Sequence, residues 1–357
     1  MSASELDSGE IYERLDSEGL LGRIMALPEQ IEEAWAAGRA LELPASYAGC
    51  ERVAVLGMGG SGIGGALLRA LAVDIGVRTP VHTVRGYGSP GFIDERTLVL
   101  ASSNSGNTEE VLSALGGALA AGAKCVAITT GGALGELARS RGLPALTFAW
   151  EGEQRSALGW SFASLLAICA SAGLLPDLGD DVRGAVAEMQ DGRGPLGAEA
   201  PEASNAAKQL ARRLHGRLPV FVGAQALAPV AYRWRTQVNE NAKSWAVADE
   251  LPEMNHNAHA GYGLPAEVVG RLQVVLLRHA SMHPRVRLRV DATAASMGAA
   301  GVAADVVDVA GGSVLAQMLR AVQLGDFVSY YLGLLNGVRP SPVVALEKLK
   351  RALSREP

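Results

Sequence analysis

Cysteine is scarce in this chain. Cys50, Cys125 and Cys169 lie far apart, and two of them sit in apolar runs, so neither a disulfide framework nor a cysteine metal site is supported. Basic residues are not in excess either. The 32 Lys and Arg against 37 Asp and Glu leave a net charge of −5, which argues against general nucleic-acid affinity. No uncharged apolar segment reaches the roughly 20 residues of a membrane span. The start, Met1-Ser2-Ala3-Ser4-Glu5-Leu6-Asp7, is acidic and has no apolar signal core. The expectation is a cytoplasmic protein that engages neither nucleic acid nor membrane. What the chain does have is length and apolar content. Its 357 residues, 48% of them apolar, suffice for a large core and two domains.

Glycine is abundant at one point. Between the apolar run Val53-Ala54-Val55-Leu56 and the helical pattern Ala66-Leu67-Leu68-Arg69-Ala70-Leu71, six of the nine residues from Gly57 to Gly65 are glycine. Such a run costs backbone entropy, so the main chain there must be closely approached or must adopt positive φ. A strand, a glycine turn and a helix start also gather free N–H groups where an anion can sit. The same pattern serves as a tight strand-to-helix turn in any α/β protein. Gly57, Gly59 and Gly62 fit the G-x-G-x-x-G dinucleotide pattern. The next strand, however, ends Val81-His82-Thr83-Val84-Arg85 with no acid to hold a ribose, which disfavours a nicotinamide cofactor.

Residues 1–48 read as a helical arm, with Ile11, Leu15, Leu20, Leu21, Ile24, Leu27, Ile31 and Trp35 at helical spacing. Apolar strands then alternate with helices. Val53–Leu56, Val81–Val84, Leu98–Ala101, Cys125–Thr129 and Ala145–Phe148 predict a parallel sheet in a doubly wound first domain, residues 49–175. Residues 176–205 look like a connection containing a short helix. The plan recurs in a second domain, residues 206–357. Strands are predicted at 218–223, 273–277, 286–290 and 305–309, with helices at 228–245, 314–336 and 342–353. The expected fold is therefore two flavodoxin-like α/β domains with helical extensions at both ends, and the cleft between them is the expected site.

A second polar loop follows the third strand, Ser102-Ser103-Asn104-Ser105-Gly106-Asn107-Thr108-Glu109-Glu110. Hydroxyls beside the exposed N–H groups of a helix start can surround a phosphate without a metal. Thr108 followed by two acids also fits ordinary N-capping, but capping alone does not require Ser103, Ser105 and Gly106. A Gly-Met-Gly-Gly-Ser loop after strand one and a Ser-x-Ser-Gly-Asn-Thr-Glu-Glu loop after strand three resemble the sugar isomerase (SIS) family of sugar-phosphate-binding domains. Three further segments extend the likeness: Gln154-Arg155-Ser156-Ala157-Leu158-Gly159-Trp160, Asn239-Glu240-Asn241-Ala242-Lys243 and Glu250-Leu251-Pro252-Glu253-Met254-Asn255-His256-Asn257. With these, residues 52–353 resemble the bifunctional phosphoglucose/phosphomannose isomerases. Asn104, where an aromatic is common, and Ala258, where an acid is usual, depart from the pattern.

The resemblance implies a cofactor-free, metal-independent homodimer that interconverts glucose or mannose 6-phosphate with fructose 6-phosphate through a cis-enediol. The alternatives are a non-catalytic sugar-phosphate-binding regulator and an isomerase of another phosphosugar. By resemblance the phosphate falls to Ser103, Ser105, Gly106 and Thr108, with Gly59, Gly60 and Ser61 of the first loop near the sugar. A single carboxylate suffices for the proton transfer, and Glu240 is the candidate. Unaided, it reads as an exposed helix acid. A loop histidine can give or take a proton near neutral pH, which makes His256 the candidate for ring opening, and the resemblance implies that it comes from the neighbouring subunit. His259 is its rival. Asn255-His256-Asn257-Ala258-His259 lacks a third ligand of zinc-site spacing, so no metal is expected. Arg155 is the candidate for stabilising the enediolate, for which a fixed guanidinium is well suited. In the last helix Val343, Leu346, Leu349 and Leu353 define an apolar face. Lys350 falls about 40° from Leu346 and Lys348 about 200° away, which selects Lys350 as the active-site lysine that the resemblance implies.

Overall fold

The computed structural model describes residues 5–353, without the side chains of residues 350 and 351. The helical spacing of the N-terminal arm folds as α1 (Gly9–Leu15), α2 (Leu20–Met25) and α3 (Leu27–Ala40), which bury Ile11, Leu15, Leu20, Ile24, Leu27 and Ile31.

The first sheet contains β1 (Arg52–Leu56), β2 (Val81–Val84), β3 (Thr97–Ser102), β4 (Lys124–Thr129) and β5 (Ala145–Thr147), all parallel, in the order β2-β1-β3-β4-β5. Helices α4 (Gly59–Asp74), α5 (Glu109–Ala120) and α6 (Gly132–Arg141) make the crossovers. Strands covered on both faces read as unbroken apolar runs, and β3 is buried along its whole length. The strand order reverses between β1 and β3, where Leu56 lies opposite Ala101. The glycine loop and the serine loop therefore leave the sheet side by side at its switch point, the usual ligand crevice of such sheets.

Helices α7 (Leu158–Ser171), α8 (Gly179–Leu196) and α9 (Ala206–Leu214) lead to the second sheet. Its strands β6 (Leu218–Ala224), β7 (Val247–Leu251), β8 (Leu272–His279) and β9 (Ala303–Val309) are parallel in the order β7-β6-β8-β9. With α10 (Ala228–Asn241), α11 (Ala266–Val269), α12 (Pro284–Ala299), α13 (Val314–Leu335) and α14 (Val344–Leu353), this completes two α/β units of one design. Among the helices the most extensive packing is of α3 on α7 and of α13 on α8, α9 and α10.

Several local expectations need correction. Residues 286–290 alternate apolar and charged like a strand, yet they lie in α12. Pro284 stands in the first turn of that helix, and His283 caps it by accepting from the Arg285 N–H. The helix turns Val290, Thr293 and Met297 inward, a spacing visible only over a window longer than five residues. The segment after residue 176 is dominated by the 18-residue α8 rather than a short helix. Strand β7 escaped notice because Val247-Ala248-Asp249-Glu250-Leu251 is polar and lies at a sheet edge. Finally, the apolar face of α14 is not buried within the chain: Leu346, Leu349 and Leu353 are exposed.

Most glycines of the first loop serve packing. A Cβ on Gly64 would lie 1.7 Å from the Ser161 carbonyl oxygen on α7, whereas one on Gly116, mid-way along α5, would meet nothing within 4 Å. Gly64→Ala is expected to lower the unfolding free energy by about 3 kcal/mol. Gly116→Ala is expected to raise it by about 0.5–1 kcal/mol. Urea unfolding of the two variants checks the contrast.

Candidate active site

At the end of β1, Gly59 adopts φ +50 with open space around it, the left-handed conformation that the turn into α4 requires. Gly60 is different. Its missing Cβ would lie 2.9 Å from the Gln154 carbonyl oxygen and 3.1 Å from the Arg155 Cα, so only glycine lets the loop close on the segment that carries Arg155. Ser61 is buried and donates to the Asn104 Oδ1 at 3.3 Å, while the Asn104 Nδ2 donates to the Gln154 carbonyl at 3.3 Å. The departure at position 104 thus supplies a polar bridge between the two loops and the Arg155 segment.

In the serine loop Gly106 is held at φ +68, and a Cβ there would collide with the Gly131 carbonyl oxygen. Thr108 occupies the N-cap position of α5 without a capping bond from its side chain. Its hydroxyl instead pairs with the buried Ser103 hydroxyl at 2.8 Å. The Ser105 Oγ accepts from the Asn107 N–H at 3.3 Å. Three hydroxyls and the first amides of α5 consequently share one short turn, a donor set suited to an oxyanion.

Arg155, in the turn before α7, is only 5% exposed. A guanidinium so buried must find partners. Its Nε donates to the Asn241 Oδ1 at 2.6 Å, its Nη1 to the Glu240 Oε2 at 3.4 Å and its Nη2 to the Pro340 carbonyl at 2.9 Å. Burial lowers its pKa, opposed chiefly by the Glu240 charge and then by Glu153. Glu240 stands near the carboxyl end of α10 with its side chain 28% exposed, a carboxylate held at one end and open at the other.

Sequence reasoning assigned no role to Lys243. Two residues past α10 it adopts φ +51, uncommon for a residue with a Cβ. Its ammonium donates to the Glu240 carbonyl and, at 2.7 Å, to the same Pro340 carbonyl that Arg155 holds. Burial first, and then the Arg155 charge, lowers its pKa to about 8. The signal was present in Asn239-Glu240-Asn241-Ala242-Lys243, but a lysine at a helix end is also ordinary dipole compensation. A groove of about 450 Å³ opens here, lined by Asn239, Lys243, Ser244, Trp245, Val343 and Ala345.

The chain brings together Gly59, Gly60, Ser61, Arg155 and Glu240 around the switch point, with Ser103, Ser105, Gly106 and Thr108 on the neighbouring loop. It does not bring His256 to them. That residue is exposed on a turn (Glu253–His256) after β7, with no contact to Glu240 or Arg155 among the described residues. His259 faces the Ser296 hydroxyl at 3.2 Å and the Tyr262 ring. The Lys350 side chain lies outside the described residues, and Lys348 is exposed. No group of three metal-ligating side chains occurs among the described residues.

The equivalent corner after β6 is filled by the chain itself. The Asp74 carboxylate accepts from the Ala226 N–H at 2.9 Å and from the Gln225 side-chain amide at 3.3 Å, so it takes the donors an anion would use. The adjoining cleft of about 340 Å³, lined by Arg69, Asp74, Arg85, Gln225, Tyr232 and Glu250 among others, shares none of the site residues.

Over residues 203–353 the chain matches the family model of the bacterial phospho-glucose isomerase C-terminal SIS domain. It is 39% identical over 331 residues to a bifunctional phosphoglucose/phosphomannose isomerase from Caldicellulosiruptor bescii, covering 92% of this chain and 97% of that protein. A protein of the same name from Aquifex aeolicus is 34% identical over 299 residues, covering 84% and 89%. Among solved structures, a hypothetical protein from Thermus thermophilus shares the fold with a TM-score of 0.74 at 20% identity, over 99% of this chain and 93% of that one.

The Lys243 ammonium gives this site a pH signature. Its folded-state pKa, about 8, lies below the roughly 10.4 of a free lysine. Between these values the folded chain holds fewer protons than the unfolded one, so this group's contribution to stability rises with pH across that window. The melting temperature of Lys243→Met minus that of the wild type is therefore expected to be most positive near pH 7 and to fall towards pH 10. A difference independent of pH would show the ammonium to be unperturbed.

Proposed function

The chain belongs to the bifunctional phosphoglucose/phosphomannose isomerases, and we propose that its Glu240 and Arg155 carry out the proton transfer that interconverts glucose 6-phosphate and mannose 6-phosphate with fructose 6-phosphate. The observation that carries this assignment is the Glu240–Arg155 pair, a half-open carboxylate beside a buried, fully engaged guanidinium, next to the phosphate-type loop at the switch point.

The substrate phosphate docks on Ser103, Ser105, Gly106 and Thr108, with Ser61 and the open backbone at Gly59 and Gly60 towards the sugar. With the ring opened, Glu240 takes the C2 proton of the aldose and returns it to C1, while a proton passes from O2 to O1. The enediolate formed between the two transfers is negative, and the Arg155 charge, already desolvated and fixed, stabilises it without reorganisation. Epimers at C2 converge on the same enediol, which accounts for one site serving both aldoses.

Ring opening is assigned to His256 of a second copy in a homodimer. Its exposure and its lack of contact with Glu240 within one chain support a role across an interface. Apolar surface beside the site supports such an interface: Trp245 is 80% exposed, and the Leu346, Leu349 and Leu353 edge of α14 is uncovered. Lys350, on that same helix, is proposed to act at the ring oxygen.

Glu240→Gln is expected to lower kcat about 1000-fold for both aldose phosphates while leaving the binding of a phosphosugar analogue nearly unchanged. A coupled assay on each substrate, with and without chelator, is the measurement. Retained turnover would move the base elsewhere.

A further inference from the structure

Helix α10 carries a buried polar stripe in addition to Glu240. Arg233, Gln237 and Asn241 recur at intervals of four, so they share one face of the helix, and all three are buried. They meet two buried residues of α13, Asp326 and Ser329. The Asp326 Oδ2 accepts from the Arg233 Nη2 at 2.8 Å, and its Oδ1 accepts from the Arg233 Nε at 3.1 Å and the Gln237 Nε2 at 3.0 Å. The Ser329 Oγ accepts from the Asn241 Nδ2 at 2.9 Å and donates to the Asp326 carbonyl at 2.9 Å.

Both ends of this ladder terminate on one residue. The Arg233 Nη2 also donates to the Arg155 carbonyl at 3.1 Å, and the Asn241 Oδ1 accepts from the Arg155 Nε at 2.6 Å. Arg155 is thus gripped at its backbone and at its guanidinium by the same helix whose Glu240 faces that guanidinium. A buried ion pair is weak support for stability, because apolar residues of similar volume pack as well. What the ladder adds is orientation, since each of these bonds is directional.

We infer that Asp326, Ser329, Arg233 and Asn241 are positioning residues of the isomerisation: they fix the rotation of α10 and hold the Arg155 guanidinium against Glu240 at the distance the enediolate needs. The inference rests on the roles given above to Arg155 and Glu240. It goes beyond them in making α13, which carries none of the residues assigned to the substrate, a determinant of turnover rather than of binding. Misplacement of a catalytic group by about 1 Å costs on the order of 100-fold in rate.

The test compares Asn241→Leu, Asn241→Asp and Ser329→Ala with Glu240→Gln and the wild type, measuring kcat and KM on glucose 6-phosphate together with thermal unfolding. Asn241→Leu removes the acceptor for the Arg155 Nε and is expected to lower kcat about 100-fold with KM changed less than about threefold. Asn241→Asp keeps that acceptor but loses the Nδ2 donor to Ser329, and is expected to lose no more than about tenfold in kcat. Ser329→Ala, which deletes one hydroxyl and carries the test if Asn241→Leu does not fold, is expected to lose about tenfold in kcat. Loss confined to KM, equal losses in the two Asn241 variants, or wild-type kcat in a folded Asn241→Leu or Ser329→Ala would overturn the inference. An active Glu240→Gln would overturn the site assignment instead, so the two failures are distinguishable.

Discussion

A guanidinium cannot be taken out of water without partners, and the buried Arg155 is where that constraint shapes this molecule. Its partners come from separate parts of the chain: Asn241 and Glu240 from α10, and Pro340 from the segment that leads to α14. Removing one partner of such a buried group leaves an uncompensated charge, a cost of about 3–5 kcal/mol. The arrangement therefore ties the end of the first sheet's unit to the helix that bears the carboxylate and to the start of the C-terminal helix. Gly60 completes it from the other side, because a side chain there would push the first loop away from the Arg155 backbone.

The same constraint explains why two α/β units of one design yield one site. At the first switch point, Asn104 of the serine loop donates to the Gln154 carbonyl beside Arg155, whose guanidinium is paired with Glu240 of the second unit. At the equivalent corner after β6, Asp74 at the end of α4 satisfies the amides of the following turn, and the donors are already spent. Lys243 shows the local consequence of burying a second cation beside Arg155. It shares the Pro340 carbonyl with Arg155, and burial first, then the Arg155 charge, brings its ammonium down to about 8.

Much of the plan was legible in the sequence. The apolar runs of the first sheet marked all its strands, because buried parallel strands need no alternation, and the serine loop stood out because capping alone did not explain its hydroxyls. The glycine loop was harder to interpret. Its glycines mark close packing against α7 and the Arg155 segment as much as approach to a ligand, and both uses look the same in one dimension. Residues 286–290 misled because five residues satisfy a period of two and a period of 3.6 about equally. The ladder was out of reach: Arg233 and Asp326 are separated by 93 positions, and on sequence alone each is an ordinary surface charge. The direction of the last helix was out of reach for another reason. An apolar stripe implies burial, and here Leu346, Leu349 and Leu353 are left exposed among the described residues.

The central claim is that the Arg155–Glu240 pair moves the substrate proton through an enediolate. Exchange of the C1 proton of fructose 6-phosphate into D2O, followed by NMR in the wild type and in Arg155→Met, tests it most directly. The claim predicts solvent deuterium at C1 with the wild type and exchange slowed about 100-fold or more in Arg155→Met. Exchange at the wild-type rate in a folded Arg155→Met would contradict it.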